Sequence, residues 1–346
     1  MVKEVFPNLF QIRVPLPNNP LKHLNTYLIK SSDKILLIDT GLNFPRVFEA
    51  LNHGLSKAGV NPQKLTDVLI THFHMDHVGL IPLLREVSEN FTIWIHKAEK
   101  ELSQIIAKDR MQYLDTIKNF LKSFDAPLSL IANLQNFHPA SITPKAYEEI
   151  AKAAWPLEGN EEISVGNYNF QILWTPGHSP GHVCLYEPRL KAFISGDHVL
   201  PTITPHVSQF MANMNPLKDY LESLRRVKEL DVRIVLPAHE EVFTNFVERV
   251  NQLKEHHKQR LIEILTCIKN EKTTPYALAS TIQWHVSYNS WDNFPLLQKY
   301  LALGETLAHL TFLEKNGLIK RNVFDQKIFY ELSGTSFFEL LENILG

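Results

Sequence analysis

A short histidine-rich stretch constrains the fold of this chain more than any other feature. Residues 71–77 read Thr-His-Phe-His-Met-Asp-His, and they directly follow the apolar run 68–70. The apolar run predicts a buried strand, and the polar stretch then forms the loop at its carboxyl end, before a helix over 78–88. Three imidazoles and one carboxylate within six residues predict a metal site, because neither a core nor a solvated loop requires them. Imidazole and carboxylate favour zinc, with iron or manganese as alternatives.

Three more candidate ligands lie further along the chain, each after a short apolar run. His178 follows the run 170–174, Asp197 follows 192–196, and His239 follows 233–236. In each case a predicted strand ends in glycine, proline or a small residue just before the candidate ligand. Because neighbouring strands can deliver their terminal residues to one edge of a sheet, we expect these side chains to meet the first stretch there.

The order of these motifs resembles the metallo-β-lactamase superfamily. His-x-His-x-Asp-His is followed by Gly-His, by Gly-Asp and by a late His after a strand, and the resemblance spans about residues 5 to 245. It implies a dinuclear hydrolase in which seven residues bind two divalent metal ions. One ion would be held by His72, His74 and His178, the other by Asp76, His77 and His239, with Asp197 bridging the two. The sequence Asp-Thr-Gly at 39–41 is similar to a family motif in which Asp39 would orient a ligand.

The resemblance also implies a mechanism and two further roles. The two ions, zinc with iron or manganese as alternatives, would share a bridging hydroxide that attacks the substrate. Asp76 and Asp197 are therefore predicted to be catalytic as well as metal-binding. His206, in the segment after Asp197, is a candidate substrate contact or proton donor, with an exposed loop histidine as the alternative. His182 is interpreted as a support for the ligands or as a structural residue, because the pattern assigns metal binding to His178.

Strands alternating with helices over residues 1–245 predict an α/β fold, an αββα sandwich with the sheets inside and the helices outside. Residues 97–156 interrupt this pattern with helices expected at 98–107, 111–124 and 145–154. An insertion of this length between two core strands is too long for a simple connection. We therefore predict a helical cap over the metal site, with an insertion that only stabilises the fold as the alternative. Phe137 and His138 are expected at helix ends, with a position facing the site as the alternative.

Residues 246–346 have a different character and are predicted to form a second domain. Helices are expected at 247–268, after an N-cap at Thr274, and at 305–316, followed by a hairpin of 318–321 and 327–332. This order resembles a winged helix, and a winged helix on such a core resembles the lactamase-β-like-protein subgroup. Residues 251–346 contain ten Lys/Arg and ten Asp/Glu, so the region carries too little positive charge for duplex binding. Packing or dimerisation, including a homodimer, is the favoured role.

Composition bounds the other assignments. A chain of 346 residues is longer than a usual single core, which argues for two domains. Its net charge of −2 argues against an acidic membrane surface or DNA as partner. The two cysteines, Cys184 and Cys267, match no disulfide or zinc spacing. No long apolar run or signal-like amino terminus is present, so we expect a cytoplasmic protein without a membrane partner.

A small acyl ester or thioester is the favoured substrate. The ligand set is similar to that of glyoxalase II and other thioesterases. Glyoxalase II has a characteristic basic patch for glutathione in its C-terminal domain, whereas the C-terminal region here is neutral and resembles a different fold, which argues against glutathione thioesters. A bridging Asp197 argues against antibiotic hydrolysis. Phosphodiesterases and ribonucleases share the ligand set, and RNA stays open because local basic patches are compatible with a neutral chain. A persulfide dioxygenase with one iron, and a non-catalytic metal-binding or DNA-binding protein, are the alternatives from other classes.

Overall fold

Two β-sheets packed face to face form the centre of the molecule, with helices on both outer sides. The computed structural model describes residues 1–88, 90–270, 273–284, 288 and 290–334. This arrangement confirms the predicted αββα sandwich, with a helical insertion and a helical C-terminal region.

The first sheet has seven strands that lie in chain order. The first four are antiparallel and the last four are parallel, so that β4 belongs to both parts. Parallel neighbours need a crossover, which explains the helices that follow β4, β5 and β6. The strands are β1 (Val2–Phe6), β2 (Leu9–Pro15), β3 (His23–Lys30), β4 (Ile35–Ile38), β5 (Asp67–Leu69), β6 (Thr92–His96) and β7 (Ala154–Leu157). The sequence patterns did not predict β1 or β7.

The second sheet has five strands in the order β12-β11-β10-β9-β8. They are β8 (Glu162–Val165), β9 (Tyr168–Trp174), β10 (Val183–Glu187), β11 (Ala192–Gly196) and β12 (Ile234–Pro237). Every residue of β10 and β11 is buried, as expected for central strands covered on both faces. Leu36 and Ile38 of the first sheet pack with Phe170 of the second in the core between the sheets.

The helices that cover the first sheet correct one prediction. Helix α1 (Pro45–Lys57) buries Val47, Leu51 and Leu55, as the periodicity predicts. The single helix expected over 78–88 is instead two helices, α2 (Met75–Val78) and α3 (Ile81–Val87). The break lies at Gly79, where a Cβ atom would be 2.5 Å from the carbonyl oxygen of Met75 and 2.7 Å from that of Gly41. The loop after β4 packs against this turn, and the amide of Leu80 donates a hydrogen bond of 3.0 Å to the carbonyl of Gly41 instead of continuing the hydrogen-bond ladder of the helix.

The insertion contains more helices than predicted. They are α4 (Lys97–Lys108), α5 (Arg110–Ser123), α6 (Leu128–Ala132), α7 (Pro139–Ile142) and α8 (Pro144–Ala153). The three predicted helices correspond to α4, α5 and α8. The short helices α6 and α7 were not predicted, because a single turn carries too little periodicity to be recognised.

The C-terminal region follows the predicted order of elements. After α9 (Pro216–Lys228) and β12 come α10 (Phe246–Asn270), α11 (Pro275–Thr281), α12 (Leu296–Lys315), and the hairpin of β13 (Ile319–Phe324) with β14 (Lys327–Leu332). Thr274 caps α11, since its hydroxyl accepts a hydrogen bond from the amide of Ala277. The winged-helix assignment stays a prediction, and its last residues, 335–346, lie outside the described residues.

Helix α12 begins nine residues before the predicted start at 305. Its buried residues include four consecutive positions, Leu307, Ala308, His309 and Leu310, which lie on different faces of the helix. Such a helix has no clear apolar stripe, so periodicity alone recognises only its last turns. The buried residues of α12 belong to an apolar cluster that also contains residues of the insertion and of α9, α10 and α11, so these parts share one core. No helix among the described residues is both long and apolar enough to cross a membrane.

Candidate metal centre

Four strand ends deliver the candidate ligands to one edge of the sandwich. Residues 71–77 follow β5, His178 follows β9, Asp197 follows β11 and His239 follows β12. The side chains meet there in two adjoining groups, as expected from the sequence. Helix α2 starts at Met75, so Asp76 and His77 lie in its first turn and turn back toward the loop that carries His72 and His74.

The first group contains three imidazoles and one carboxylate: His72, His74, His178 and Asp197. The Nδ1 atom of His74 lies 2.9 Å from the Nε2 atoms of both His72 and His178, which are 3.2 Å from each other. Oδ2 of Asp197 lies 3.5 Å from Nε2 of His178 and 3.9 Å from Nε2 of His72. Four potential ligand atoms therefore surround one small space.

The second group contains Asp76, His77 and His239. Oδ2 of Asp76 lies 3.4 Å from Nε2 of His239 and 3.8 Å from Nε2 of His77. Asp197 also contacts this group, because its Oδ1 is 3.4 Å from Nε2 of His239 and its Oδ2 is 3.7 Å from Nε2 of His77. One carboxylate thus lies between the two groups, in the position of a bridge.

Hydrogen bonds on the outer side fix the orientation of four imidazoles. In each case Nδ1 is bonded to an oxygen, which leaves Nε2 directed into the site. The pairs are His72 with the Thr71 hydroxyl at 3.1 Å, His77 with Asp39 at 2.9 Å, His178 with the carbonyl of His206 at 2.7 Å, and His239 with the carbonyl of His23 at 3.1 Å. His74 differs, since its Nδ1 faces the site.

Asp39 organises the start of the histidine-rich stretch. Its carboxylate accepts hydrogen bonds from the Thr71 amide at 2.9 Å and from the Thr71 hydroxyl at 2.8 Å, and it contacts Nδ1 of His77. Asp39 has a φ of +60°, a conformation that aspartate tolerates better than most residues. The expected orienting role of Asp39 is therefore compatible with its contacts.

The chemistry of the first group fits a divalent cation. With Nδ1 of His72 and of His178 donating outward, the nitrogen lone pairs of the three imidazoles face one another at 2.9–3.2 Å. A proton on Nδ1 of His74 would relieve only part of their repulsion, because the Nε2 atoms of His72 and His178 still face each other at 3.2 Å, whereas a cation between the three would balance all of it. Tetrahedral zinc with nitrogen ligands at 2.0–2.1 Å would place them about 3.3 Å apart, close to the observed spacing.

The chemistry of the second group also fits a divalent cation. Among the described residues, the buried Nε2 atoms of His77 and His239 and the buried Oδ1 of Asp197 have no hydrogen-bond partner. Buried polar atoms are normally satisfied, so their exceptions point to an ion or water at the position they face. These residues could hold a second divalent metal, with carboxylate and imidazole as its ligands.

Electrostatics differs between the two groups. Burial lowers the pKa of His72 and His178 and lowers that of His74 to about 3, so these imidazoles are neutral. Burial opposes the charge on Asp76, but His77 and His239 outweigh it and lower its pKa to about 2.

His77 and His239 behave in the opposite way, because carboxylates surround them. Burial opposes their protonation, but Asp39 raises the pKa of His77 and Asp197 raises that of His239 to about 10. The anionic charge that retains protons on these imidazoles also favours a divalent cation, which would displace those protons.

Two other histidines near the site have different surroundings. His182 is buried, with Nδ1 2.8 Å from the Thr175 hydroxyl, and its Nε2 accepts a hydrogen bond of 3.1 Å from the amide of Asp197. Both nitrogens are occupied, which favours the structural interpretation of His182. His206 lies beside the site through its backbone, since its carbonyl fixes His178, and its side chain contacts Ser208 and Glu305.

Glycine and a buried glutamate hold the loop that carries His178. Gly177 has a φ of +136°, and a Cβ atom there would lie 2.4 Å from Cα of Tyr220 in α9. Glu99, in the first turn of α4, accepts hydrogen bonds from the Ser179 hydroxyl and from the Gly181 amide at 2.8 Å. The insertion thus supports a loop of the site directly. The sequence patterns missed Glu99, although a carboxylate on the buried face of α4, beside Leu102 and Ser103, is a recognisable signal.

Gly177→Ala should destabilise the protein, because the new methyl group meets the backbone of Tyr220 rather than a flexible side chain. Gly317→Ala is the matched control, since Gly317 also has a positive φ, +74°, with nothing within 4 Å of the added Cβ. We expect the free energy of unfolding, measured by urea denaturation, to fall by more than about 1 kcal/mol further in the first variant than in the second. Equal losses would contradict the steric argument.

Glu99 should make stability depend on pH. Burial raises its pKa from 4.5 to about 7. The folded protein therefore retains this proton where the unfolded chain has lost it, and the contribution of Glu99 to stability falls as pH rises from about 4.5 through 7. Glu99→Gln, which can accept the same hydrogen bonds, should remove this dependence.

The measurement is the free energy of unfolding of the metal-free proteins between pH 5 and pH 8. The free energy of unfolding of Glu99→Gln minus that of the wild type should become more positive as pH rises. Glu101→Gln, at an exposed position of the same helix, is the control and should show no such growth. A difference that is independent of pH for Glu99→Gln would contradict the assignment.

Comparison with known proteins agrees with this geometry. The family model of the metallo-beta-lactamase superfamily matches residues 21–239. The probable metallo-hydrolase YqjP of Bacillus subtilis is 24% identical over 324 residues, which cover 89% of this chain and 92% of that protein. An atrochrysone carboxyl ACP thioesterase of Aspergillus fumigatus is 25% identical over 250 residues, covering 72% of this chain and 61% of that protein.

Solved structures extend the similarity over nearly the whole chain. A beta-lactamase domain protein from Burkholderia ambifaria has a TM-score of 0.81 at 26% identity, covering 96% of this chain and 94% of that chain. A metallo-beta-lactamase family protein from Thermus thermophilus has a TM-score of 0.76 at 26% identity, covering 95% and 100%. The fold, the two groups of His and Asp side chains and these similarities agree: the chain belongs to the metallo-beta-lactamase superfamily and is a metal-dependent hydrolase.

Proposed function

We propose that this protein hydrolyses a small acyl ester or thioester with two divalent metal ions, of which zinc is the favoured identity. One ion would be held by His72, His74 and His178, the other by Asp76, His77 and His239, with Asp197 shared. When bound, such ions activate a water molecule near neutral pH and polarise the bond that is hydrolysed. The mutual distances of the ligand atoms and the unsatisfied atoms at the second group support this assignment.

The observation that carries the choice of substrate is an apolar cavity of about 320 Å³ beside the metal centre. His74, Asp76 and His178 form one side of it. The other sides come from the insertion, from the loop 206–214 and from α12. Its apolar lining consists mainly of Phe73, Met75, Leu102, Ile106, Tyr113, Phe137, Tyr147, Phe210, Met211, Met214, Leu297, Tyr300 and Leu301.

This lining suits an acyl group better than a phosphodiester or RNA. Among the residues that the structure describes, no lysine or arginine lines this apolar cavity, and Lys218 and Lys315 line the adjoining cleft instead. A phosphodiester backbone would require such cations, whereas an acyl chain or an aromatic acyl group gains free energy from the apolar walls. The similarity to a thioesterase also favours acyl transfer to water. The complete second group of ligands argues for two metals, and so against a dioxygenase with a single iron.

The chain's own residues would divide the remaining tasks. Asp76 lies at the edge of the cavity and would orient the attacking water as well as binding metal. Leu102, Ile106 and Tyr147 belong to the insertion, so this segment would act as a cap that excludes water from the acyl group. Tyr147 also donates a hydrogen bond of 3.3 Å to the carbonyl of Phe73, which ties the cap to the histidine-rich loop.

Metal analysis of protein purified without added metal, combined with turnover on the same sample, tests this proposal. Thioester, phosphodiester and lactam reporters should be compared. We expect about two zinc ions per chain with turnover of the acyl reporter. Preferred turnover of the phosphodiester would assign the protein to the phosphodiesterase branch, and one iron per chain with oxygen uptake on a persulfide would contradict hydrolysis.

Replacing a proposed ligand should remove metal and activity together. Asp76→Ala and His74→Ala each remove one ligand atom from a proposed metal site. Metal content and kcat should therefore both fall, kcat by about 10²-fold or more. His53→Ala, at an exposed position of α1, is the control and should retain both. Full activity in either ligand variant would contradict the assignment.

A further inference from the structure

We propose that Ser208, His206 and Glu305 form a hydrogen-bonded chain that delivers a proton to the leaving oxygen of an oxygen ester. This inference rests on the proposed hydrolysis of an acyl substrate and makes it more specific. Ser208 would be the group that touches the substrate. Glu305, contributed by the C-terminal helix α12, would be a positioning residue that acts through His206.

The three side chains are already in contact. Nδ1 of His206 lies 3.4 Å from Oε2 of Glu305, and Nε2 of His206 is hydrogen-bonded to the Ser208 hydroxyl. The two ring nitrogens therefore face the carboxylate on one side and the hydroxyl on the other. This order of carboxylate, imidazole and hydroxyl is the one in which an imidazole can pass a proton to a hydroxyl while a carboxylate holds its orientation.

Helix α12 fixes the loop that carries His206 and Ser208. The amide of Gln209 donates a hydrogen bond of 3.0 Å to the carbonyl of Gly304, and the ring of Phe210 stacks on Tyr300 at a centroid distance of 4.0 Å. Gly304 permits this approach, since a Cβ atom there would lie 2.9 Å from the Ser208 hydroxyl and 2.3 Å from the Phe210 ring. The position of the serine therefore depends on the C-terminal region.

Glu305 is held in the charged form. Its side chain is only 14% exposed, and this burial opposes ionisation, but the contact with His206 outweighs that effect, with help from His309 and Arg260, and lowers the pKa of Glu305 to about 2. Nε of Arg260 lies 3.7 Å from the other carboxylate oxygen. An ionised Glu305 faces Nδ1 of His206 at 3.4 Å and would hold the orientation of this imidazole during proton transfer.

Ser208 lies where two cavities meet beside the metal centre. The apolar cavity is on one side, and on the other is a wider cleft of about 670 Å³ that includes Lys218, Asp219 and Lys315. Ser208 lines both, together with His178, Ser179, Pro180 and Met214. The acyl part fits the apolar cavity and the leaving part fits the polar cleft, so the bond that breaks would lie at this junction, next to the serine hydroxyl.

In the proposed step, the leaving oxygen receives a proton from Ser208 as the ester bond breaks. Water adds to the acyl carbon, and the bond from that carbon to the ester oxygen breaks with its electron pair on the oxygen. The Ser208 hydroxyl gives its proton to this oxygen, and Nε2 of His206 gives its proton to Ser208. The proton released by the attacking water returns to His206 through solvent, because the His206 side chain is 30% exposed. Glu305 stays ionised throughout.

The chemistry of the leaving group explains why such a chain points to an oxygen ester. A thiol has a pKa of about 8.5, so a thiolate can depart without a proton. An alkoxide is close to hydroxide in basicity, with water at a pKa of about 15.7, and departs slowly unless it is protonated. A proton donor at the junction therefore matters for an alcohol and contributes little for a thiol.

The test compares an alkyl ester and a thioester with the same acyl chain, using the metal-loaded enzyme and the variants Ser208→Ala and Glu305→Gln. We expect kcat on the alkyl ester to fall by about 10²-fold in both variants, with kcat on the thioester kept within about threefold. Glu314→Gln, on the same helix but bonded to Tyr330 of the hairpin, is the matched control and should change neither. Metal content and the visible spectrum of the cobalt-substituted proteins should be unchanged in all variants.

Each other outcome contradicts part of the proposal. Equal losses on both substrates would show that the residues only maintain structure, and no loss on the alkyl ester would show that they transfer no proton; either result overturns the chain. Ser208→Ala removes only the hydroxyl of a half-buried side chain and so keeps the test valid if Glu305→Gln fails to fold. Failure of the wild type on both acyl substrates overturns the proposed function itself, and the proton chain with it.

Discussion

The arrangement of this site depends on imidazole lone pairs held against one another in a buried space. Three such nitrogens lie within 3.2 Å of each other, and hydrogen bonds to Thr71 and to the His206 carbonyl keep two of the rings from turning away. Burial makes these imidazoles neutral, which prepares them for a metal but leaves their repulsion in place. The surrounding sandwich fixes the strand ends that carry these rings and thereby sets the spacing of the nitrogens that a cation would bind.

Asp197 and Asp39 link that constraint to the rest of the fold. Asp197 contacts both groups of candidate ligands, and its amide is bound by His182 from the neighbouring loop. Asp39 ties the end of β4 to Thr71 and His77. Both carboxylates follow buried strands that belong to different sheets. The two sheets must pack in one register for the site to form, so the core between them supports the chemistry as well as the stability.

The insertion and the C-terminal helices form the proposed substrate cavity, as the sandwich forms the candidate metal site. They share one apolar core, and they face the metal centre across a cavity that no single segment could enclose. The insertion also holds the His178 loop through Glu99, and α12 holds the 206–210 loop through Gly304. Substrate choice in this protein is thus expected to vary with these two segments, while the sandwich keeps the ligand atoms in place.

The sequence by itself determined the sandwich, the strand ends that carry the candidate ligands, and the helices α4, α5 and α8 of the insertion. These features are local: a run of β-branched residues, a dense group of histidines and a helical period are each visible within about twenty residues. The break at Gly79 and the early start of α12 needed the tertiary structure, because close backbone packing and burial on several faces leave no periodic signal. Only the tertiary structure identified Glu99, Ser208 and Glu305 as relevant to the site. Each is an ordinary polar residue in the sequence. Its proposed role depends on tertiary contacts, such as those of Glu99 with Ser179 and of Glu305 with His206, which lie far away along the chain.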